Sequence, residues 1–198
     1  MSHEKLRGFI GEIAGLVDEH LPEPQLLEHG AVSLSKLIAE DDWLADSYAQ
    51  PSPDRYQQFL LYADARQRFS VVSFVWGPGQ QTPVHDHTVW GLVGVLRGAE
   101  IARSYARDEH GTLIVSGEDV LLERGAVAAV SPSVGDIHRV SNAFDDRVSI
   151  SIHVYGANIG GISRHVYPAD GPPKPFISGY TNDTLPNLWN LSKERLNS

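Results

Sequence analysis

The chain has 198 residues, of which 41% are hydrophobic and 21% charged, a balance typical of one globular domain with a substantial core, spanning residues 1–198. A formal net charge of −9 without a Lys/Arg cluster argues against a nucleic-acid partner, and no apolar run is long enough to predict a membrane span. The chain has no cysteine, which excludes disulfides, thiolate metal ligands and a cysteine nucleophile. The first residues lack the pattern of a signal peptide, so we expect a cytoplasmic protein.

The first quarter of the chain, residues 1–50, is predicted to be helical. From residue 4 to about residue 20, apolar residues recur at spacings of three and four, which is typical of an amphipathic helix. Two prolines then end this helix. The sequence next predicts one more turn closed by Gly30, a second helix over residues 32–38, and a short third helix capped by Asp41 and its neighbour.

From Tyr56 onward the sequence changes to short segments rich in Val and Ile, divided by turns that contain Gly, Pro and Asp. Strands are predicted over residues 56–62, 69–76, 90–96, 100–105, 112–116, 120–122, 126–130, 138–141 and 147–155. This spacing predicts an antiparallel barrel or sandwich over residues 56–167. The tail, 168–198, begins with a proline-rich segment that is expected to run extended over the surface, and it is predicted to end in a short helix over 188–196.

The segment His85-Asp86-His87 stands at the predicted end of a strand. Residues i and i+2 of a strand point to the same face, so His85 and His87 direct two imidazoles toward one point, as a divalent metal requires. His138 offers a third imidazole from a distant segment. Imidazoles suit Fe, Zn, Cu or Ni, so the spacing alone does not choose the metal.

Ser151, His153 and Tyr155 alternate along one predicted strand and therefore face the same side. Their chemistry suits a relay from hydroxyl to imidazole to phenol, in which the phenol O–H is left to donate to substrate. The alternative is that these polar side chains merely satisfy one another inside the barrel. No Gly-x-Ser-x-Gly motif is present, so the Ser-His pair does not indicate a hydrolase.

Three blocks of sequence carry a resemblance to a known family. They are Gly-Pro-Gly-Gln-Gln-Thr-Pro-Val-His-Asp-His-Thr-Val-Trp-Gly over 77–91, Gly-Asp-Ile-His-Arg-Val-Ser-Asn over 135–142, and Ser-Ile-His-Val-Tyr-Gly over 151–156. Together they resemble the cysteine dioxygenase family of thiol dioxygenases, which belong to the cupin superfamily. The resemblance runs from about Tyr56 to Tyr167.

This resemblance implies a mainly β fold, an antiparallel, jelly-roll-like cupin barrel with the N-terminal helices packed on it. It also implies a non-haem Fe(II) enzyme that adds both atoms of O2 to a thiol sulfur and so forms a sulfinic acid. Carried over by position, the metal ligands are His85, His87 and His138, and the catalytic residues lining the iron site are Ser151, His153 and Tyr155.

Gly91 departs from the patterns of both the superfamily and the family. The common cupin pattern has a glutamate ligand at this position, so the fourth protein ligand is absent and about three positions of an octahedral ion stay open. Mammalian cysteine dioxygenases have a cysteine here and link it to the tyrosine. That crosslink cannot form in this chain, so Tyr155 must act as a free phenol.

The segment Tyr56-Gln57-Gln58 bears on the identity of the thiol. Cysteine dioxygenases place an arginine here to bind the substrate carboxylate, and the glutamine resembles the bacterial branch that acts on 3-mercaptopropionate. Alternation lets only one of Gln57 and Gln58 face inward, and we select Gln58 as substrate-binding. The carboxylate still needs a cation, for which Arg164 is the candidate, directly or through Tyr155, although a structural role for Arg164 is an equal alternative.

The predicted activity is therefore oxidation of a small thiol carboxylate, 3-mercaptopropionate, with O2 to 3-sulfinopropionate. Alternatives within the family are a cysteine or cysteamine dioxygenase, or a thiol dioxygenase of broad specificity. A cupin isomerase or a carbon-bond dioxygenase is a further alternative, but these enzymes usually keep the glutamate that Gly91 replaces. A non-catalytic metal-binding cupin is the most remote alternative.

Overall fold

The computed structural model describes residues 3–189, and its N-terminal part consists of two α-helices. Helix α1, Glu4–Asp18, is the amphipathic helix that the sequence predicts, and its buried face consists of Leu6, Phe9, Ile10 and Ile13. Helix α2 spans Glu23–Ile38. The structure contains no helix with the length and apolar content of a membrane span among these described residues.

The predicted break within α2 is wrong, because the helix is continuous through Gly30. A Cβ at Gly30 would lie 2.8 Å from Cδ1 of Leu92 on the barrel, so this glycine permits close packing rather than ending a helix. The predicted third helix is also wrong, since only a single 3-10 turn, Asp46–Tyr48, forms there. The carboxylate of Asp41 pairs with Arg97 instead of capping a helix.

Eleven β-strands follow in the described residues. They are β1 Gln57–Ala63, β2 Ser70–Trp76, β3 Gly91–Arg97, β4 Ala99–Arg107, β5 Leu113–Val115, β6 Val120–Glu123, β7 Val127–Val130, β8 His138–Asn142, β9 Ser149–Tyr155, β10 Arg164–Val166 and β11 Lys174–Phe176. The first nine correspond to the predicted strands. The last two were not predicted, because segments of three residues near prolines carry no alternation to detect.

Two antiparallel sheets form the barrel. The larger sheet has the order β1-β2-β9-β3-β7, and the smaller has the order β5-β4-β6 with β8 also paired to β4. Gly98, with φ +72°, makes the tight turn between β3 and β4 that carries the chain from one sheet to the other. Helix α2 packs on β3 and β7. The prediction of a mainly β, antiparallel, jelly-roll-like barrel with N-terminal helices packed on it is confirmed.

The central strands of the larger sheet, β2, β9 and β3, are buried on both faces, and this positions the site. Ile150, Ile152 and Val154 of β9 join the apolar core beneath the helices. The alternating residues of the same strand, including Tyr155, point into the barrel interior. Every residue of β9 is therefore buried, and the polar residues among them must find their hydrogen-bond partners inside the barrel.

The tail is exposed over residues 169–175, and from Phe176 onward it forms part of the barrel mouth. Strand β11 pairs with β10, and the chain then continues alongside β1. Thr181 N donates to the carbonyl of Gln58 at 2.7 Å, and the Asn182 side chain bonds both the N–H and the carbonyl of Leu60. The predicted C-terminal helix over 188–196 lies almost entirely outside the described residues.

Candidate active site

Three imidazoles meet at the barrel mouth. His138 begins β8, whereas His85 and His87 lie between β2 and β3, outside any regular strand, so the predicted strand end is wrong in this detail. His85 nevertheless forms isolated bridges with His138 and Val166, which gives it local β geometry. The alternation holds, because both histidines turn inward and the intervening aspartate turns away.

The geometry of these three side chains fits a metal ion. Their ligating atoms all lie within 4.8 Å of one another, and the ring centroids are 4.8 to 4.9 Å apart. The Nδ1–H of His85 donates to the carbonyl of Pro83 at 3.0 Å. The Nδ1–H of His87 donates to Asp136 at 3.1 Å. These bonds leave the Nε2 lone pairs free to bind a cation.

The protein keeps two of the imidazoles, those of His85 and His138, neutral, as metal ligands must be. Burial, reinforced by the neighbouring His87, lowers the pKa of His85 to about 3. Burial also lowers the pKa of His138 well below its ordinary range. These two rings therefore each present a lone pair rather than a second N–H at neutral pH.

Gly91 leaves no place for a fourth protein ligand. It pairs with Tyr155 across β3 and β9, and a Cβ at this position would lie 2.8 Å from Cδ1 of the Tyr155 ring. The phenol thus occupies the space beside Gly91. The ring of Tyr155 also stacks on that of His87, with centroids 5.4 Å apart, which places the phenol beside the three imidazoles.

Two aspartates that sequence reasoning missed hold the ligand segment in place. Asp136 accepts hydrogen bonds from the backbone N–H groups of His87 and Thr88, besides the bond to the His87 ring. Asp86 accepts from the backbone and ring of His165 and from the hydroxyl of Tyr167. Their positions in the sequence could have indicated this role, because Asp86 lies between two of the histidines and Asp136 lies two residues before the third.

Ser151, His153 and Tyr155 form a continuous hydrogen-bonded chain. Oγ of Ser151 lies 2.8 Å from Nε2 of His153, and Nδ1 of His153 lies 2.7 Å from the Tyr155 hydroxyl. Burial lowers the pKa of His153 well below its ordinary range and raises that of Tyr155. The imidazole is therefore neutral and the phenol is protonated at neutral pH.

One cavity of about 170 Å³ brings the predicted residues together. Seven of the eight line it: Gln58, His85, His87, His138, His153, Tyr155 and Arg164. Ser151 lies behind His153 and does not line the cavity. The side chain of Gln57 donates to the carbonyl of Arg55 instead. The volume is below the roughly 300–1,000 Å³ of pockets for drug-sized ligands, which indicates a small substrate.

A family model for cysteine dioxygenase type I matches residues 32–166, about two thirds of the chain. The chain belongs to this family. It is therefore a cupin thiol dioxygenase, and its three histidines lie close enough together to hold a metal ion. This membership agrees with the resemblance that the sequence motifs carry.

Solved structures with a similar fold include the protein TT1209 from Thermus thermophilus, at 19% identity and TM-score 0.44, covering 57% of this chain and 92% of that one. A protein with a double-stranded β-helix domain from Klebsiella pneumoniae matches at 22% identity and TM-score 0.44, covering 61% and 95%. An RmlC-like cupin from Desulfovibrio desulfuricans matches at 21% identity and TM-score 0.39, covering 55% and 88%. Likeness of this degree says nothing about function.

In this thiol dioxygenase, Arg164 brings a positive charge to the cavity. It is 4% exposed, and its guanidinium lies over the ring of Phe176, 4.7 Å from the centroid. One terminal nitrogen donates to Ser178 at 2.7 Å, while the buried Nε has no hydrogen-bond partner among the described residues. An unpartnered donor of this kind is costly, so it indicates a position that a ligand completes.

Phe176 and Ser178 are cavity residues that sequence reasoning missed, because they belong to the tail. Tyr56 and Trp76 also line the cavity, and their rings lie 4.9 Å apart. The indole N–H of Trp76 donates to Ser151 at 3.3 Å, which connects the aromatic lining to the hydrogen-bonded chain.

Proposed function

We propose that this thiol dioxygenase uses Fe(II) to oxidise 3-mercaptopropionate with O2 to 3-sulfinopropionate. The observation that carries the proposal is the charge of the cavity. Arg164 lines it, and none of the other lining residues is acidic. Burial keeps His85, His138 and His153 neutral and Tyr155 protonated, so Arg164 gives the cavity lining a positive charge that can meet the substrate.

A carboxylate is the substrate group that suits this charge. The planar guanidinium forms charge-assisted, often bidentate hydrogen bonds with a carboxylate, and such bonds are roughly twice as strong as neutral ones. The unpartnered Nε of Arg164 supplies a donor for that contact. Gln58, on the same cavity, is proposed to add a neutral amide contact.

An ammonium group would be poorly accommodated in the same cavity. L-Cysteine carries an α-ammonium beside its carboxylate, and cysteamine carries an ammonium instead of one. Both would bring a second positive charge near Arg164 without an acidic partner, which costs free energy in a buried site. 3-Mercaptopropionate has the thiol and the carboxylate but no amine.

His85, His87 and His138 would hold the iron, which when bound lowers the pKa of the thiol and supplies the redox chemistry between thiol and O2. The protein orients the substrate through Arg164 and keeps the ligands neutral. Tyr155, whose hydroxyl lies 2.7 Å from Nδ1 of His153, is proposed to donate its phenolic proton into the cavity.

The test is O2 uptake by the Fe(II)-loaded protein with 3-mercaptopropionate, L-cysteine and cysteamine, with products identified by mass spectrometry. We expect kcat/KM for 3-mercaptopropionate to exceed that for L-cysteine by about tenfold or more, and a tenfold ratio corresponds to about 1.4 kcal/mol. Protein loaded with Zn(II) is the control and should be inactive. Equal or higher kcat/KM for L-cysteine would refute the proposed substrate.

A further inference from the structure

Glu100, a residue that the reaction described above does not use, lies deep in the barrel on β4. It is 0% exposed. The hydroxyl of Ser149 donates to its Oε1 at 3.1 Å. Oε2 is also buried, and within residues 3–189 it has no hydrogen-bond partner. A fully buried carboxyl group with one orphan oxygen calls for an explanation.

The carboxyl group lies beside the inner end of the hydrogen-bonded chain. Ser149, which bonds Glu100, and Ser151, which begins the chain, alternate on β9 and therefore face the same side. The Ser151 hydroxyl and the Trp76 indole both act to lower the pKa of Glu100, although neither forms a hydrogen bond to Oε2. Ser151 in turn bonds His153, and His153 bonds Tyr155. The order from the interior to the cavity is therefore carboxyl, hydroxyl, imidazole and phenol.

The hydrogen bonds from Ser151 through His153 to Tyr155 can point in only two directions, because the number of protons is fixed. Ser151 has one hydroxyl proton, and neutral His153 has one ring proton. If Ser151 donates to Nε2 of His153, the ring proton is on Nδ1 and donates to the phenol oxygen, so Tyr155 donates into the cavity. If the ring proton is on Nε2 and donates to Ser151, the phenol must donate to Nδ1 and no longer points its proton outward.

We propose that Glu100 is a positioning residue whose protonation sets the direction of this chain and so decides whether Tyr155 donates into the cavity. The proposal requires Oε2 to come within hydrogen-bond distance of the Ser151 hydroxyl. A protonated Glu100 would then donate from Oε2 to Ser151 and favour the outward direction, whereas a charged Glu100 would accept from Ser151 and reverse every bond in the chain. The proposal deepens the proposed function, because the outward phenol is the form that serves the substrate.

The environment of Glu100 supports titration near neutral pH. Burial raises the pKa of Glu100 to about 7, against the opposing effect of the Ser151 and Ser149 hydroxyls and the Trp76 indole. Its pairing partners on the neighbouring strands are uncharged, namely Leu122 on β6 and Asn142 on β8. From β9 it faces Ser149, and the titratable groups on that strand are His153 and Tyr155.

The other titratable residues of the hydrogen-bonded chain, His153 and Tyr155, do not change charge near neutral pH. Burial keeps His153 neutral and Tyr155 protonated. The outward direction is thus expected below about pH 7 and the reversed direction above it, with Glu100 as the titrating member.

The test reads the tautomer of His153 directly, by NMR of full-length protein with 15N-labelled histidine, both metal-free and loaded with diamagnetic Zn(II). In the wild type we expect the ring proton on Nδ1 at pH 6 and on Nε2 at pH 8.5. Glu100→Gln keeps a carbonyl for Ser149 and a permanent donor for Ser151, so it should hold the proton on Nδ1 at both pH values. Glu123→Gln, an exposed change on β6, is the control and should behave as wild type.

Activity of the Fe(II)-loaded protein gives a second readout. In the wild type, kcat for the thiol should fall about tenfold for each pH unit above the midpoint, as a single titration requires. In Glu100→Gln this alkaline decline should disappear while KM stays unchanged. If Glu100→Gln does not fold, Ser151→Ala replaces it, since breaking the chain there should make the His153 tautomer independent of pH.

The outcomes separate this inference from the proposed function. A single His153 tautomer from pH 6 to 8.5 in the wild type, or a switch that persists in Glu100→Gln, overturns the role of Glu100 even if the thiol is oxidised. A tautomer switch that Glu100→Gln abolishes, in a protein that oxidises none of the three thiols, supports Glu100 and refutes the proposed function instead.

Discussion

The cavity combines two groups of residues that the chain assembles in different ways. The histidine group, His85, His87 and His138, is uncompensated by any acidic lining residue, and its segments are held by strand β8 and by two aspartates, Asp86 and Asp136. The arginine group, Gln58, Arg164, Phe176 and Ser178, carries the one positive charge and depends on the tail. The difference matches the proposed roles, in which the first group would bind the metal and the second would select a substrate with a carboxylate.

The largest expected effect follows from breaking the histidine group. His138→Ala removes one of three neutral ligands, and we expect iron affinity to fall by more than the roughly 10- to 100-fold that loss of an outer-shell partner costs. Activity with every thiol should then be lost, because each needs the same metal. Iron analysis after desalting, together with O2 uptake, measures both quantities.

His110→Ala is the matched control for that change, since the side chain of His110 is 78% exposed. It should keep full iron content and activity. Stoichiometric iron in His138→Ala, with activity within tenfold of wild type, would remove His138 from the ligand set.

The histidine group is also the part that the sequence predicts well. The i, i+2 spacing of His85 and His87 needs only local β geometry to bring the rings together, and the same rule brings Ser151, His153 and Tyr155 into one hydrogen-bonded chain. Alternation is a local property, so it survives even where, as at His85, the backbone forms only isolated bridges.

A smaller effect is expected from the arginine group. Arg164→Gln keeps a polar side chain but loses the charge, and hydrogen bonds to charged groups contribute about 1.5–3 kcal/mol. We therefore expect kcat/KM for 3-mercaptopropionate to fall about 10- to 150-fold while iron content stays at the wild-type level. Steady-state kinetics with 3-mercaptopropionate and with cysteamine, which lacks a carboxylate, measures the effect.

The decisive quantity in that experiment is the ratio of kcat/KM for 3-mercaptopropionate to kcat/KM for cysteamine. Loss of a carboxylate contact lowers activity with 3-mercaptopropionate more than activity with cysteamine. An equal loss for both would mean that Arg164 supports the fold instead of the substrate. Arg66→Gln, an exposed arginine outside the cavity, is the control and should leave both unchanged.

The arginine group shows why the remaining residues of the candidate site could not be predicted from the sequence. Phe176 and Ser178 reach the cavity because the tail is held against β1 by contacts over more than a hundred residues of sequence, such as the bond from Gln58 N to Thr181. No local pattern encodes such a contact. Glu100 is a similar case, since an acidic residue in a predicted strand is ordinarily solvated and only the closed barrel buries it.

The smallest effect is expected from loosening the tail without touching the cavity. The side chain of Asn182 accepts from Leu60 N at 2.8 Å and donates to the carbonyls of Leu60 at 2.9 Å and Thr184 at 2.7 Å. Asn182→Ala removes all three bonds, each worth about 0.5–1.5 kcal/mol. Because Ser178 holds Arg164, kcat/KM for 3-mercaptopropionate should fall about two- to tenfold, mainly through KM, with iron content unchanged.

Hydrogen exchange connects that kinetic change to the tail. In Asn182→Ala, amides over residues 176–182 should exchange faster than in wild type, whereas those of β9 should not change, because β9 is buried on both faces. Asp183→Ala, an exposed change next in sequence, should alter neither quantity. Faster exchange in the tail with an unchanged KM would show that the tail only covers the cavity, and Arg164 would then have to hold the substrate without help from Ser178.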